Sequence, residues 1–283
     1  MTQLISCDMG RSESKFFSNN QKLKFKSVIG EWHERNLNTD GDYDIQIDGQ
    51  KYFIGDLALR EAYLPREMVT ESKIHEETLL LFLCGISALT KSDDLFISTG
   101  LPINMFNPKV RDELVTLLKG KHEVTFTGYK PKQIYINEIT VCPESGGTYF
   151  YEAKKRPQLK QGKVRVVNIG SRTINFCCVE NGVFVNKSSG TLSYGAIQLR
   201  NSKAKLQEFS RKIFADLSSQ WHDYNEDYDV VILSGGGIIL LEEFLKQFFK
   251  KTIVSDEPIY SDVLGFFDLG CAKFGKGNLA IAK

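Results

Sequence analysis

Two stretches of this chain, 160 positions apart, start in the same way. A strand-like run through "QLIS" ends at Asp8-Met9-Gly10 and passes into Arg11, Ser12, Glu13, Ser14 and Lys15. A second run, "VRVVNIG", carries Asn168-Ile169-Gly170 and passes into Ser171, Arg172 and Thr173. At the same offset Phe16 falls on Phe176, and Asn20 falls within one residue of Asn181-Gly182. Each copy reads as strand, tight polar turn, strand, hairpin. Two short hairpins can match by chance. The other reading is a duplicated α/β domain whose copies face each other, each offering one polar turn to a shared cleft. A chain of 283 residues is long enough for two ordinary domains or one large one.

The turns have a chemistry of their own. A tight turn exposes several backbone N–H groups to an anion, and glycine lets the backbone approach closely. Ser12, Ser14 and Lys15 add hydroxyl and ammonium donors suited to phosphate oxygens. Asp8 cannot bind phosphate directly; its sensible role is to hold water around a Mg2+ that the phosphates ligate. "NIGSRT" offers a second cradle of the same kind. A third glycine loop, Gly235-Gly236-Gly237, follows the apolar run "VVILS" and precedes a helical pattern, which puts bare backbone against a ligand. A dinucleotide fingerprint is disfavoured there, because its third glycine position is Leu240. Pro143 ends a strand just before Glu144, and a carboxylate at that point could orient water against a terminal phosphate. An ordinary exposed loop glutamate is the alternative. "DGDYD" at 40–44 lacks the glycine and the bidentate glutamate of a calcium loop and reads as an acidic turn.

Charge and composition remove several classes. The net charge of +1 argues against a surface that grips nucleic acid or membrane by charge alone. The longest apolar run, "TLLLFLCGISAL", is too short to span a bilayer, and no leader pattern opens the sequence. The six cysteines form no Cys-x-x-Cys and suit buried thiols in a reducing compartment; the four histidines have no ligand-like spacing. Hairpins are expected at Asn19-Asn20 and Asp48-Gly49, and helices over 73–89, near 108–119 and over "KAKLQEFSRKIFADLSSQW". In the last of these, Leu206, Phe209, Ile213, Leu217 and Trp221 share one face. "KKRPQLKQGK" at 154–163 reads as a connector between the halves.

In this order the motifs resemble the actin, Hsp70 and sugar kinase superfamily. Within it they resemble the bacterial actin-like plasmid segregation proteins of the ParM/StbA group. Asp8-x-Gly10 with Lys15 matches the first phosphate motif, and "STGLP" with "VCPESGG" matches a strand and the catalytic connector. Gly170-Ser171-Arg172-Thr173 matches the second phosphate motif, Gly235–Gly237 the adenosine loop, and "YSDVLGFFDLG" the C-terminal connector. Only about 65 residues separate Asn168 from Ser234, as in the small AlfA-like members.

The resemblance implies an α/β fold of two actin-like (ribonuclease H-like) domains around a nucleotide cleft, without the extra small subdomain of the second half. The first would span 1–153, with 258–283 packing back on it, and the second 164–257. It implies a cytoplasmic filament-forming ATPase or GTPase that segregates plasmid DNA through a DNA-binding adaptor, with no direct nucleic-acid or membrane contact. Gly10, Arg11, Ser12, Lys15, Gly170–Thr173 and Gly235–Gly237 would hold ATP or GTP. Asp8 and Asn168 would hold Mg2+ through water, and Glu144 with Asp8 would serve catalysis. Asn168 stands where the motif usually begins with Asp; it can accept a hydrogen bond from water but adds no charge near the metal. Other readings on the same superfold are a scaffold that holds nucleotide without turnover and a small-molecule kinase.

Overall fold

The computed structural model describes residues 2–37, 43–68, 72–199 and 203–275. The chain divides into two compact units, one of residues 1–100, 107–141 and 266–283 and the other of 101–106 and 142–265. The acidic turn at 40–44 falls largely outside the described residues, as does the end of the C-terminal tail.

The first unit is built on a ten-stranded mixed sheet. In chain order come β1 (Gln3–Met9), β2 (Glu13–Ser18), β3 (Gln21–Lys26), β4 (Val28–Glu31), β5 (Tyr43–Ile47), β6 (Gln50–Ile54), α1 (Asp56–Glu61), β7 (Arg66–Glu67), α2 (Glu76–Leu89), β8 (Asp94–Leu101), α3 (Pro108–Leu118), β9 (Gly120–Phe126) and β10 (Lys132–Pro143). The spatial order is β3-β2-β1-β8-β10-β9-β5-β6-β4-β7. β1 runs antiparallel to β2 and parallel to β8, so it lies inside the sheet, and its Leu4, Ile5 and Cys7 are buried. The hairpins turn where expected. Asn19 and Asn20, then Asp48 and Gly49, take positive φ at both central positions, the type I′ geometry that follows strand twist. The helix expected over 73–89 starts three residues later, at Glu76, and this leaves Lys73 ahead of it. α3 begins where sequence chemistry asks: Asn107 caps it by accepting from Val110 N at 3.1 Å, with Pro108 next.

The second unit holds α4 (Gly146–Lys155), β11 (Lys163–Ile169), β12 (Ile174–Glu180), β13 (Val183–Phe184), β14 (Gly190–Leu192), α5 (Lys203–Gln220), β15 (Val230–Ser234), α6 (Ile238–Leu245) and β16 (Thr252–Val254); α7 (Ser261–Phe274) begins in it and closes the described chain. The strand order β13-β12-β11-β15-β16 repeats the β3-β2-β1-β8-β10 order of the first unit. The repetition extends to register. Asp8 pairs with Lys15 and Cys7 with Phe16; 160 positions on, Asn168 pairs with Asn175 and Val167 with Phe176. The offset widens only at the hairpin tips, Asn19-Asn20 against Asn181-Gly182. Between β12 and β15 the second unit has two short strands and α5, and no added subdomain among the described residues. Ile213, Leu217 and Trp221 of the apolar α5 stripe are buried against Phe176, Leu233 and Phe249, with Leu206 and Phe209 partly buried beside them.

The division differs from the expected boundaries at 153 and 258. Residues 142–153 and 258–265 go with the second unit. The physical reason is packing, since Tyr149 and Ala153 of α4 join Val164, Val166 and Val179 in one buried cluster. Part of the expected connector is therefore helix: α4 runs to Lys155, a 3-10 turn covers Pro157–Lys160, and β11 starts at Lys163.

The first unit has no slack between α2 and the sheet. A Cβ at Gly85 of α2 would lie 2.1 Å from the Phe16 ring, and Phe16 is fully buried. Gly85→Ala is expected to cost about 2 kcal/mol by overpacking, and Gly85→Ala/Phe16→Leu to recover part of it. Urea unfolding midpoints of the two variants check this.

Candidate functional site

Each unit ends its central strand in the same tight turn. Gly10 and Gly170 occupy equivalent places: a Cβ at Gly10 would lie 2.6 Å from Glu13 O, and one at Gly170 2.9 Å from Thr173 O. Any side chain would push the turn open, which explains glycine at both positions. In the first unit Ser27 braces the turn: its hydroxyl donates to Gly10 O at 2.5 Å and its N–H to Ser12 O at 3.0 Å. Ser14 is buried and shares a hydrogen bond with Ser27 at 2.9 Å. It therefore belongs to this brace, a correction to its expected place among the phosphate donors. Arg11, Ser12 and Lys15 are partly exposed.

Asp8 does not stand alone. Lys73 Nζ donates to it at 2.9 Å and Lys15 Nζ lies 3.6 Å away. Burial pushes the Asp8 carboxyl up, but the ammonium groups of Lys73 and Lys15 outweigh it and hold the carboxyl below its ordinary value. Lys73 is itself buried and also donates to Gly100 O at 3.4 Å. Sequence reasoning named Asp8 and Lys15 for separate roles, one toward the metal and one toward phosphate, and the β1–β2 register brings the two together; it missed Lys73, 65 residues away and inside a stretch that reads as helix.

In the second unit, Ala196 N donates to Gly170 O at 2.9 Å and Ile197 N to Ser171 O at 2.8 Å, which tethers the turn from outside. The three glycines of the third loop have different duties. Gly235 takes φ +85°, and a Cβ there would meet Ile169 O at 2.4 Å and Asn168 Oδ1 at 2.6 Å; Gly237 packs on the Ile169 side chain. Only at Gly236 would a Cβ meet nothing within 4 Å. Two of the glycines thus let the loop lie against the end of β11, and the third presents open backbone.

Glu144 is buried, not an exposed loop residue. Its Oε2 accepts from Asn175 Nδ2 at 2.5 Å, and Asn175 Oδ1 accepts from Thr191 at 2.7 Å. Ser145, next in the chain, is fully buried in a left-handed conformation at φ 61°. A non-glycine residue held there stores backbone strain, a frequent mark of functional sites. Asn168 is also committed, since its Nδ2 donates to Asp262 Oδ2 at 2.8 Å. Asp262 is not among the sequence candidates; the segment that holds it, "YSDVLGFFDLG", matches the C-terminal connector only as a whole.

Asp8, ionised and partly buried, has the chemistry to hold water around a Mg2+. Asn168 adds no charge, and its amide nitrogen is engaged by Asp262. Among the described residues no cluster of three or more His, Cys, Asp or Glu side chains could hold a metal by itself, so most ligands would have to come from phosphates and water. Nor is any helix among them long and apolar enough to cross a membrane.

A repeated α/β unit with a glycine turn closing each central strand defines the actin-like class. The family model described as the N-terminal domain of actin-like proteins matches residues 6–147, and the chain belongs to that family. Among solved structures, the archaeal actin homologue Ta0583 in complex with ADP aligns with a TM-score of 0.81 at 16% identity, over 97% of this chain and 100% of that one. A 15-stranded ParM filament from Clostridium botulinum aligns at 0.82 with 18% identity, over 96% and 100%. An AlfA filament bound to AMPPNP aligns at 0.71 with 17% identity, over 97% and 98%. None of the curated proteins matches the sequence.

The Asp8–Lys73 pair has a pH signature. The lowered Asp8 value means that its contribution to stability is present above the ordinary carboxylate pKa of about 4 and fades as pH falls through the folded value. Lys73→Met is expected to cost about 3 kcal/mol at pH 7 by leaving a buried charge short of its partner. Asp8→Asn/Lys73→Met should recover most of that, and the deficit of the single variant should shrink toward pH 4. Denaturant unfolding across this pH range checks all three.

Proposed function

We propose that the chain is a nucleotide-dependent filament protein of the actin-like family, which moves plasmid DNA through a separate DNA-binding adaptor. One observation carries the reading: the register-for-register repetition of the two glycine turns, within a family whose solved neighbours include filaments and nucleotide complexes. In this reading Gly10, Arg11, Ser12 and Lys15 of the first unit take phosphate oxygens of ATP or GTP. Gly170, Ser171, Arg172 and Thr173 do the same from the second, and Gly235–Gly237 lie against the nucleoside. A bound Mg2+ would neutralise phosphate charge. Asp8 would hold its water shell, once Lys15 turns from the carboxylate to phosphate. Glu144, held by Asn175, would orient the attacking water. Assembly into a homopolymer and location in the cytoplasm belong to the same proposal.

Asn168 favours one second reading, a scaffold that holds nucleotide with little turnover, because the amide adds no charge at the second turn. Sedimentation with ATP or GTP, with and without Mg2+, alongside phosphate release, separates the two. Nucleotide-dependent pelleting with phosphate release supports the filament NTPase. Nucleotide binding without release supports the scaffold, and neither binding nor pelleting would sink both.

Two variants locate the chemistry. Glu144→Ala should slow phosphate release on the order of a hundredfold, the usual loss on removing a positioned acid–base group, while binding stays nearly intact and filaments persist. Asp8→Ala leaves the buried Lys73 short of its partner, so it should fold with lowered stability and lose Mg2+-dependent release; unchanged turnover at saturating nucleotide would remove it from the site.

A further inference from the structure

We infer that Asp262 is the acidic positioning residue of the second turn, and that Asn168 is an amide because Asp262 already holds the charge there. The Asp262 carboxylate is 8% exposed and receives four donors. Oδ1 accepts from Thr148 N at 2.7 Å and Thr148 Oγ1 at 3.0 Å. Oδ2 accepts from Ser145 N at 2.9 Å and Asn168 Nδ2 at 2.8 Å. Ser145 and Thr148 are the cap and third positions of α4, where helix N–H groups have no partner within the helix. Ser145 does not cap its own helix; its hydroxyl donates to Glu144 O at 2.5 Å. Asp262 supplies the cap instead, from 114 residues away for Thr148, and its negative charge suits the positive end of α4.

One carboxylate thereby fixes two parts of the site. Through Ser145 N it fixes the strained residue beside Glu144, and through Asn168 it fixes the end of β11 at the mouth of the Gly170 turn. A carboxylate at 168 would lie about 3 Å from that of Asp262 in a buried place, and two carboxylates so close cannot both ionise. Acid at one position therefore requires a neutral group at the other. Two further titratable groups adjoin the pair. The Cys177 thiol of β12 is pushed up by burial and by Asp262, so it stays neutral, and the Glu144 carboxyl is a further acid one residue from Ser145.

The role as a positioning residue for Glu144 rests on the proposed function; the charge exclusion does not, and the experiment separates them. Asn168→Asp, Asp262→Asn and the double exchange are compared in thermal unfolding from pH 5 to 8, and in KM and kcat for phosphate release. Asn168→Asp should lower Tm by about 5 °C or more at pH 8. One carboxylate of the crowded pair has a raised folded-state pKa, so the penalty grows as pH rises from the ordinary carboxylate pKa of about 4 and should be smaller at pH 5 than at pH 8. The double exchange should recover more than half of the loss. Recovery stops short of full because the amide nitrogen introduced at position 262 would face Ser145 N–H, two donors together. Asp262→Asn should lower kcat with little change in KM. A Tm for Asn168→Asp equal to the parent's at pH 8, or a double exchange no better than the single, would overturn the charge exclusion. Unchanged kcat in Asp262→Asn would overturn its positioning of Glu144. A parent without phosphate release would count against the proposed function and against that positioning, and the Tm series would still decide the exclusion.

Discussion

Much of the second unit depends on where one negative charge is placed. Asp262 stands at the start of α7, yet its hydrogen bonds reach the head of α4 and the end of β11. Its neighbour Ser261 continues the network, sharing hydrogen bonds with Thr148 at 2.8 Å and with Ser234, the last residue of β15, at 2.5 Å. The ends of two parallel strands and the starts of two helices thus meet in one buried polar cluster. A buried carboxylate is costly unless its acceptors are filled, and here four donors fill them. That condition ties the identity of residue 168 to residue 262. It also gives a physical reason for Ser145 to tolerate a left-handed backbone, because its N–H and its hydroxyl are both satisfied in that pose.

The first unit solves the matching problem with the same sign of charge and different partners. Its central strand ends in an acid, Asp8, which is compensated by two lysines rather than by helix N–H groups. The backbone frames are the same, down to the pairing register and the carbonyl that excludes a side chain from the glycine of each turn. The two units share the frame and differ in where the charge sits. The acid stays on the strand in the first unit and sits on a helix in the second.

What sequence made legible follows from distance along the chain. The repeat, the three hairpin tips and the α5 stripe are local or strictly periodic, and they fall where the pattern puts them. Asp8 and Lys15 each read from sequence with a role of their own, and it is the β1–β2 register that brings these residues, seven apart, together as a pair. Lys73 and Asp262 were invisible for the converse reason: their partners lie 65 and 94 or more residues away, and each sits in a segment with an adequate local explanation. Glu144 was picked out for its place after Pro143, but its burial against Asn175 needed β12 to be in position. The Gly235–Gly237 loop was read as open backbone throughout. Two of its glycines instead answer to the close approach of Asn168 and Ile169, which sequence spacing alone does not reveal.

The central proposal is that the glycine segments of both units take a nucleotide. Amide hydrogen exchange, measured with and without ADP at protein concentrations too low for assembly, tests it most directly. The account expects slowed exchange at 10–15, 170–173 and 235–237 at the same ADP concentration, with edge strands such as β7 and β13 unchanged. Protection confined to one of these segments, or appearing elsewhere while all three exchange as before, would contradict it.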